Sequence, residues 1–120
     1  IHLQESLLEE ELFKYKRGPL FNWLNEKNAS PSIWKDRPSS TDVLKELKGL
    51  KKLLVHNTFM SSNDITDNFF CTCPKANLYI EKKLPDYSLF NTKNICVGTD
   101  SLASNNNLSI LEELIVIQKN

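Results

Sequence analysis

Apolar side chains fall at two spacings along this chain, and the two spacings alternate. Leu7, Leu8, Leu12 and Tyr15 recur at helical intervals, with Glu9, Glu10 and Lys14 between them, as in a helix with one buried stripe. Ser6 followed by Glu9 has the form of a capping box and sets its start. Phe21, Trp23 and Leu24, after Gly18-Pro19, predict a second short helix. Val43, Leu44, Leu47 and Leu50 predict a third, with Ser39 and Asp42 as its box and Gly49 weakening its end. Leu53-Leu54-Val55 is a short apolar run that ends in His56, and Ser61 with Asp64 marks another helix start before Ile65. Phe69-Phe70-Cys71-Thr72-Cys73 is strand-like and stops at Pro74. Tyr87, Leu89 and Phe90 fit a short helix after Pro85, and Ile95-Cys96-Val97 is the next strand. Leu108, Ile110, Leu111, Leu114, Ile115 and Ile117 make the strongest helical pattern of all.

Short apolar strands that do not alternate in polarity are strands covered by helices. Strands and helices in turn give a βαβ series with a parallel sheet. The 120 residues suffice for one domain with a real core. The one long loop expected is 28–39, with Pro31 and Pro38.

Composition narrows the classes of function. Lys plus Arg and Asp plus Glu are 15 each, so the net charge is zero, which argues against a nucleic-acid binder. The basic runs at 14–17 and 45–52 lie on helical segments and read as solvated faces. No apolar run approaches the roughly 20 residues of a membrane span. The three cysteines, Cys71, Cys73 and Cys96, sit in apolar strand-like runs and do not make a disulfide framework. Free thiols of that kind fit a reducing cytoplasm, and Cys71-Thr72-Cys73 lacks the spacing of a structural zinc knuckle. Ile1 is not an initiator Met, so a longer parent is expected.

In a parallel α/β sheet, reactive groups gather where strands end. His56 and Asp100 each follow a strand, and Ile1-His2-Leu3-Gln4-Glu5 reads as the end of an earlier one. Taken singly, Asp100 is a turn or helix cap, His56 a satisfied strand-end histidine and Glu5 an acid favouring a helix start. Together, both histidines of the chain and two of its acids fall at equivalent places in one repeating scheme. Imidazole and carboxylate are zinc ligands. A bound divalent metal lowers the pKa of water to about 7, and nearby carboxylates can move its protons.

Four blocks carry a family resemblance: "IHLQES", "LLVHNTF", "FCTCPKANLYI" and "ICVGTDSLASNNNLSILEEL". In that order they resemble strands five to eight of the metal-dependent amidohydrolase superfamily, in its chlorohydrolase and cytosine-deaminase-like aminohydrolase group. The resemblance implies the C-terminal half of a TIM-type (β/α)8 barrel, with residues 1–120 as one partial barrel domain lacking the N-terminal half. It implies His2 and Asp100 as metal ligands, Glu5 as proton shuttle, His56 as the group that orients water or polarises substrate, and Asp100 also as general base. Asn77, in the "CP-x-x-N" turn, would help shape the substrate pocket, or would simply stabilise its turn. The metal would be one divalent ion, Zn2+ or alternatively Fe2+. The family's H-x-H pair from its first strand is not in this chain, and a whole barrel takes about 250 residues.

The leading reading is therefore part of a hydrolytic deaminase of an amino-substituted ring or nucleoside-like compound. It is cytoplasmic, with a small-molecule substrate and no nucleic-acid or membrane partner, and is inactive in isolation. A different class is a half-barrel interaction module. Open edges of parallel strands invite pairing, with a second copy or with the remainder of a barrel.

Overall fold

Each strand expected from the pattern forms, and all four pair in parallel in the order of the sequence, β1-β2-β3-β4. The structure is a computed structural model that describes residues 1–29, 37–64 and 67–120. Most of the loop expected over 28–39, and Ile65 after the Ser61–Asp64 start, lie outside the described residues. The strands are β1 (His2–Leu3), β2 (Leu53–His56), β3 (Phe69–Thr72) and β4 (Ile95–Val97). The helices are α1 (Leu7–Glu10), α2 (Pro19–Glu26), α3 (Val43–Glu46), α4 (Pro74–Glu81) and α5 (Ile110–Lys119). The described chain divides into two units, Ile1–Glu5 with Lys51–Asn120, and Ser6–Leu50.

In the first unit the register sets His2 beside Val55 and Leu3 beside His56. Leu54 then pairs with Phe70, which pairs with Ile95, and Val55 with Cys71, which pairs with Cys96. Leu3, Leu54 and Phe70 are buried, and the Phe70 ring meets Phe90 at 4.9 Å between centroids. Cys71 and Cys73 form a cluster with Ala76, with Val55 packed against it. Pro74 opens α4 at its first turn, where a missing N–H costs nothing. Among the described residues, no helix is long and apolar enough to cross a membrane.

α5 forms where the strongest helical pattern placed it, but its apolar positions are not the buried ones. Ile110, Leu111, Leu114 and Ile115 are exposed, and the buried residue of the helix is Glu113. Its carboxylate accepts the main-chain N–H of Lys75 (2.8 Å) and the side-chain amide of Asn105 (2.6 Å). Burial of an acid is tolerated where its oxygens are hydrogen-bonded, and here those bonds tie α5 to the first turn of α4 and to the loop after β4.

In the second unit Ser6 Oγ accepts the Leu8 N–H and starts α1. The helix continues as a wider π-helical turn over Glu11–Tyr15 and ends at Lys16 in the left-handed region. Leu12 and Phe13 are buried. Glu10 accepts hydrogen bonds from Ser39 Oγ, Ser40 N and Ser40 Oγ (3.2, 3.2 and 2.6 Å). The Ser39–Asp42 capping box forms around a 3-10 turn, Ser40–Asp42. The helix after it stops at Glu46, short of the expected Leu50. Leu50 is exposed and Gly49 adopts φ +79°, so a continued helix would bury nothing in return for the order it requires.

Candidate active site

Parallel pairing brings the ends of β1 and β2 side by side, and with them three of the residues expected at a site. His56 Nε2 lies 3.1 Å from His2 Nδ1 and 3.5 Å from Glu5 Oε1, and His2 Nδ1 lies 3.9 Å from Glu5 Oε2. The rings of His2 and His56 meet edge to face. The three side chains form a graded wall: His56 is 0% exposed, Glu5 28% and His2 60%. One face of the cluster is thus held by the fold and the other is open to a ligand.

The backbone at these strand ends is unusual. Gln4, His56, Asn57 and Asp100 all take positive φ, at 51°, 75°, 57° and 58°. Non-glycine residues in this region carry a cost of order 1–3 kcal/mol, and such residues cluster at functional sites. Just beyond His56, Asn57 Oδ1 and Thr58 Oγ1 are buried without a hydrogen-bond partner.

The fourth side chain of the cluster is Asn77, from the first turn of α4. It is fully buried. Its Oδ1 lies 2.9 Å from His56 Nδ1, and its Nδ2 donates to the main-chain oxygen of His56 at 3.5 Å.

Asp100 sits three residues beyond β4 and is not in the cluster that could share an ion, which among the described residues is His2, Glu5 and His56. Its carboxylate accepts from Ser104 Oγ. The loop that carries it is anchored at Thr99 O by the Asn105 amide, 2.8 Å away, which also serves Glu113. Asp100 faces the end of β3 as well: its main-chain N–H donates to Cys73, and its charge helps raise that thiol. Sequence pattern marks neither Asn105 nor Glu113.

Three thiols lie on β3, just after it and on β4: Cys71, Cys73 and Cys96. The Cys71 thiol is lowered to about 6, chiefly by the hydrogen bond from Cys73 and against burial, with help from Cys96 and the charge of His56. Cys73 is pushed far up, first because its thiol donates to Cys71, then by burial. Gly98 makes room for this: a Cβ there would come 2.9 Å from Cys71 Sγ and 3.4 Å from Cys73 Sγ.

Two imidazoles and a carboxylate are a donor set suited to zinc or iron. Ligand atoms each about 2.0–2.1 Å from one tetrahedral ion stand about 3.3 Å apart. One ligand atom from each of His2, Glu5 and His56 lies within 4.8 Å of the other two, and the two imidazole nitrogens are 3.1 Å apart, so a small side-chain adjustment would let the three share a metal.

Consecutive parallel βα units with their polar groups gathered at the strand ends define a partial (β/α)8 barrel. The chain belongs to the amidohydrolase family, which matches residues 23–119. It is 30% identical to an adenosine deaminase of Helicobacter pylori over 94% of its own length and 30% of that protein's. It resembles the crystal structure of Helicobacter pylori aminofutalosine deaminase at 27% identity and a TM-score of 0.77, covering 97% of this chain and 31% of that one. The same enzyme in complex with methylthio-coformycin gives a TM-score of 0.75 over 96% of this chain. The chain thus spans about 30% of the length of the relatives it matches.

Proposed function

We propose that residues 1–120 supply strands five to eight of an amidohydrolase barrel whose reaction is hydrolytic deamination of an amino-substituted ring in a small, nucleoside-like compound. The observation that carries this reading is the position of Glu5, whose two oxygens face His56 Nε2 and His2 Nδ1 at 3.5 and 3.9 Å, in a chain similar to two deaminases. His2 would hold a divalent metal, with Glu5 and His56 within reach of it and Asp100 completing the set in the whole barrel. We propose zinc; iron(II) accepts the same donors. When bound, the metal would supply hydroxide at neutral pH by lowering the pKa of water to about 7.

The chain's own residues then divide the proton work. Asp100 takes the proton of the attacking water. Glu5 delivers a proton through Oε1 or Oε2 to the ring or the departing amine. His56 orients the water or polarises the substrate through Nε2, and Asn77 shapes the pocket from behind it. Water adds at the carbon bearing the amine, the C–N bond breaks and ammonia leaves. Three free thiols suit a reducing cytoplasm. The outer strands β1 and β4 would pair with the remainder of the barrel or with a second copy. If the chain were instead a pairing module alone, Asp100→Asn would be silent.

The test is ammonia release from adenosine and related 6-aminopurine nucleosides by the zinc-loaded full-length protein that carries this chain. Glu5→Gln and Asp100→Asn are each expected to slow turnover by about 10²- to 10⁴-fold. No ammonia from the unsubstituted protein would overturn the reading.

A further inference from the structure

The buried side of the cluster fixes a proton. The main-chain oxygen of His56 can only accept, so the Asn77 side-chain nitrogen, which lies 3.5 Å from it, must be the group facing it. That orientation turns Asn77 Oδ1, also an acceptor only, toward His56 Nδ1 at 2.9 Å. The ring nitrogen opposite a pure acceptor has to carry the hydrogen. A neutral imidazole has one N–H, so Nε2 is left with its lone pair. Nε2 is the atom that faces His2 Nδ1 and Glu5 Oε1. No solvent reaches the His56 ring to offer an alternative partner, and Asn77 is equally enclosed.

We infer that Asn77 is a positioning residue that locks His56 in the Nδ1–H tautomer and so presents a bare Nε2 to the open side of the cluster. The chain of constraint runs from a main-chain carbonyl at the end of β2, through an amide on the first turn of α4, to the ring atom that meets a ligand. It assigns Asn77 a duty other than contact with substrate. It also gives Nε2 and the facing Glu5 oxygen, 3.5 Å apart, a shared need: two acceptors at that distance call for a proton or a cation between them. His2 Nδ1–H satisfies Nε2 when no ion does. For its meaning in turnover the inference rests on the deaminase reading; the tautomer itself does not.

The chain has two histidines, so ¹⁵N-histidine labelling and long-range ¹H–¹⁵N spectra of the 120-residue protein resolve the question directly. At mildly alkaline pH, where imidazole is neutral, His56 is expected to show a protonated, pyrrole-type Nδ1 and a pyridine-type Nε2. Asn77→Leu removes the acceptor at similar volume and is expected to shift His56 toward the Nε2–H form or a mixture. Zn2+ affinity, titrated with the metal alone, is expected to fall about 10- to 100-fold in that variant, the usual effect of removing an outer partner of a ligand. Asn77→Asp keeps an acceptor opposite Nδ1 and is expected to restore the tautomer. An Nε2–H tautomer in the unsubstituted chain overturns the inference, and needs no variant to fold. So does an unchanged Nδ1–H tautomer with unchanged Zn2+ affinity in folded Asn77→Leu. An Nδ1–H tautomer in a protein whose full-length form releases no ammonia would uphold this inference while ending the deaminase reading.

Discussion

At the scale of single residues, the thiols of β3 and β4 are the most sharply tuned groups. Cys71 gains its low value of about 6 chiefly from the Cys73 thiol, whereas burial and then Cys71 raise Cys96. The thiolate is the reactive form. Because a lowered pKa means the thiolate appears as pH rises through about 6, the ultraviolet absorbance of one thiolate should titrate in there, a readout that does not require a reagent to reach the buried Cys71. Cys96, whose thiol is raised, should respond only in the alkaline range, and Cys71→Ala and Cys96→Ala separate the two steps. Cys73→Ala should move the Cys71 midpoint up; coincident profiles for Cys71 and Cys96 would refute the assignment. The same thiols make Gly98 a contact residue. With a Cβ at 2.9 Å from Cys71 Sγ, Gly98→Ala should cost about 1–3 kcal/mol by overpacking, read as a lowered urea midpoint. Adding Cys71→Ala removes the clashing sulfur and should return part of the loss. Failure of the double variant to recover would place the strain elsewhere.

At the scale of elements, the joints between βα units are made by polar groups that pattern alone does not reveal. Glu113 serves α4 and the loop carrying Asp100 at once. Glu113→Ala would orphan the Lys75 N–H and one of the two side-chain N–H groups of Asn105, the other still reaching Thr99 O, costing about 1–3 kcal/mol for each buried group left unpaired. Glu113→Gln should be costly as well, because one end of the amide would set a donor against the Asn105 donor. Urea unfolding of both variants checks this, and a Gln variant as stable as the parent would mean that the charge and both acceptors are dispensable. The sequence made the strands, the Ser6 cap and the Ser39–Asp42 box legible because each depends on spacing a few residues long. Parallel order at equivalent strand ends predicted that His2, Glu5, His56 and Asp100 would share one face; the first three meet, and Asp100 stands outside their cluster. Asn77 on the His56 ring and Glu113 under Lys75 were not legible, since their partners lie 21 and 38 residues away and the residue types have ordinary local explanations. The helical pattern around Leu108–Ile117 showed where α5 forms but not which side of it is buried.

At the scale of the whole molecule, the described residues expose apolar side chains, and their sheet ends in two outer strands. Leu102, Leu108, Ile110, Leu111 and Leu114 are exposed on and before α5, and β1 and β4 are the outer strands of the sheet. Exposed apolar surface and outer strand edges both mark sites of association. Burying one such leucine is worth about 1.5–3 kcal/mol, so several together can hold a partner. The 120-residue chain should therefore self-associate as its concentration rises, in sedimentation equilibrium, and Leu111→Lys with Leu114→Lys should weaken that association. It should also release no ammonia from adenosine on its own, because the cluster of His2, Glu5 and His56 has neither a closed barrel around it nor Asp100 within the group that could share an ion. A chain that stays monomeric at every concentration would show that the open surface is harmless in water. Turnover by the isolated chain would show that these four strands already contain a complete site.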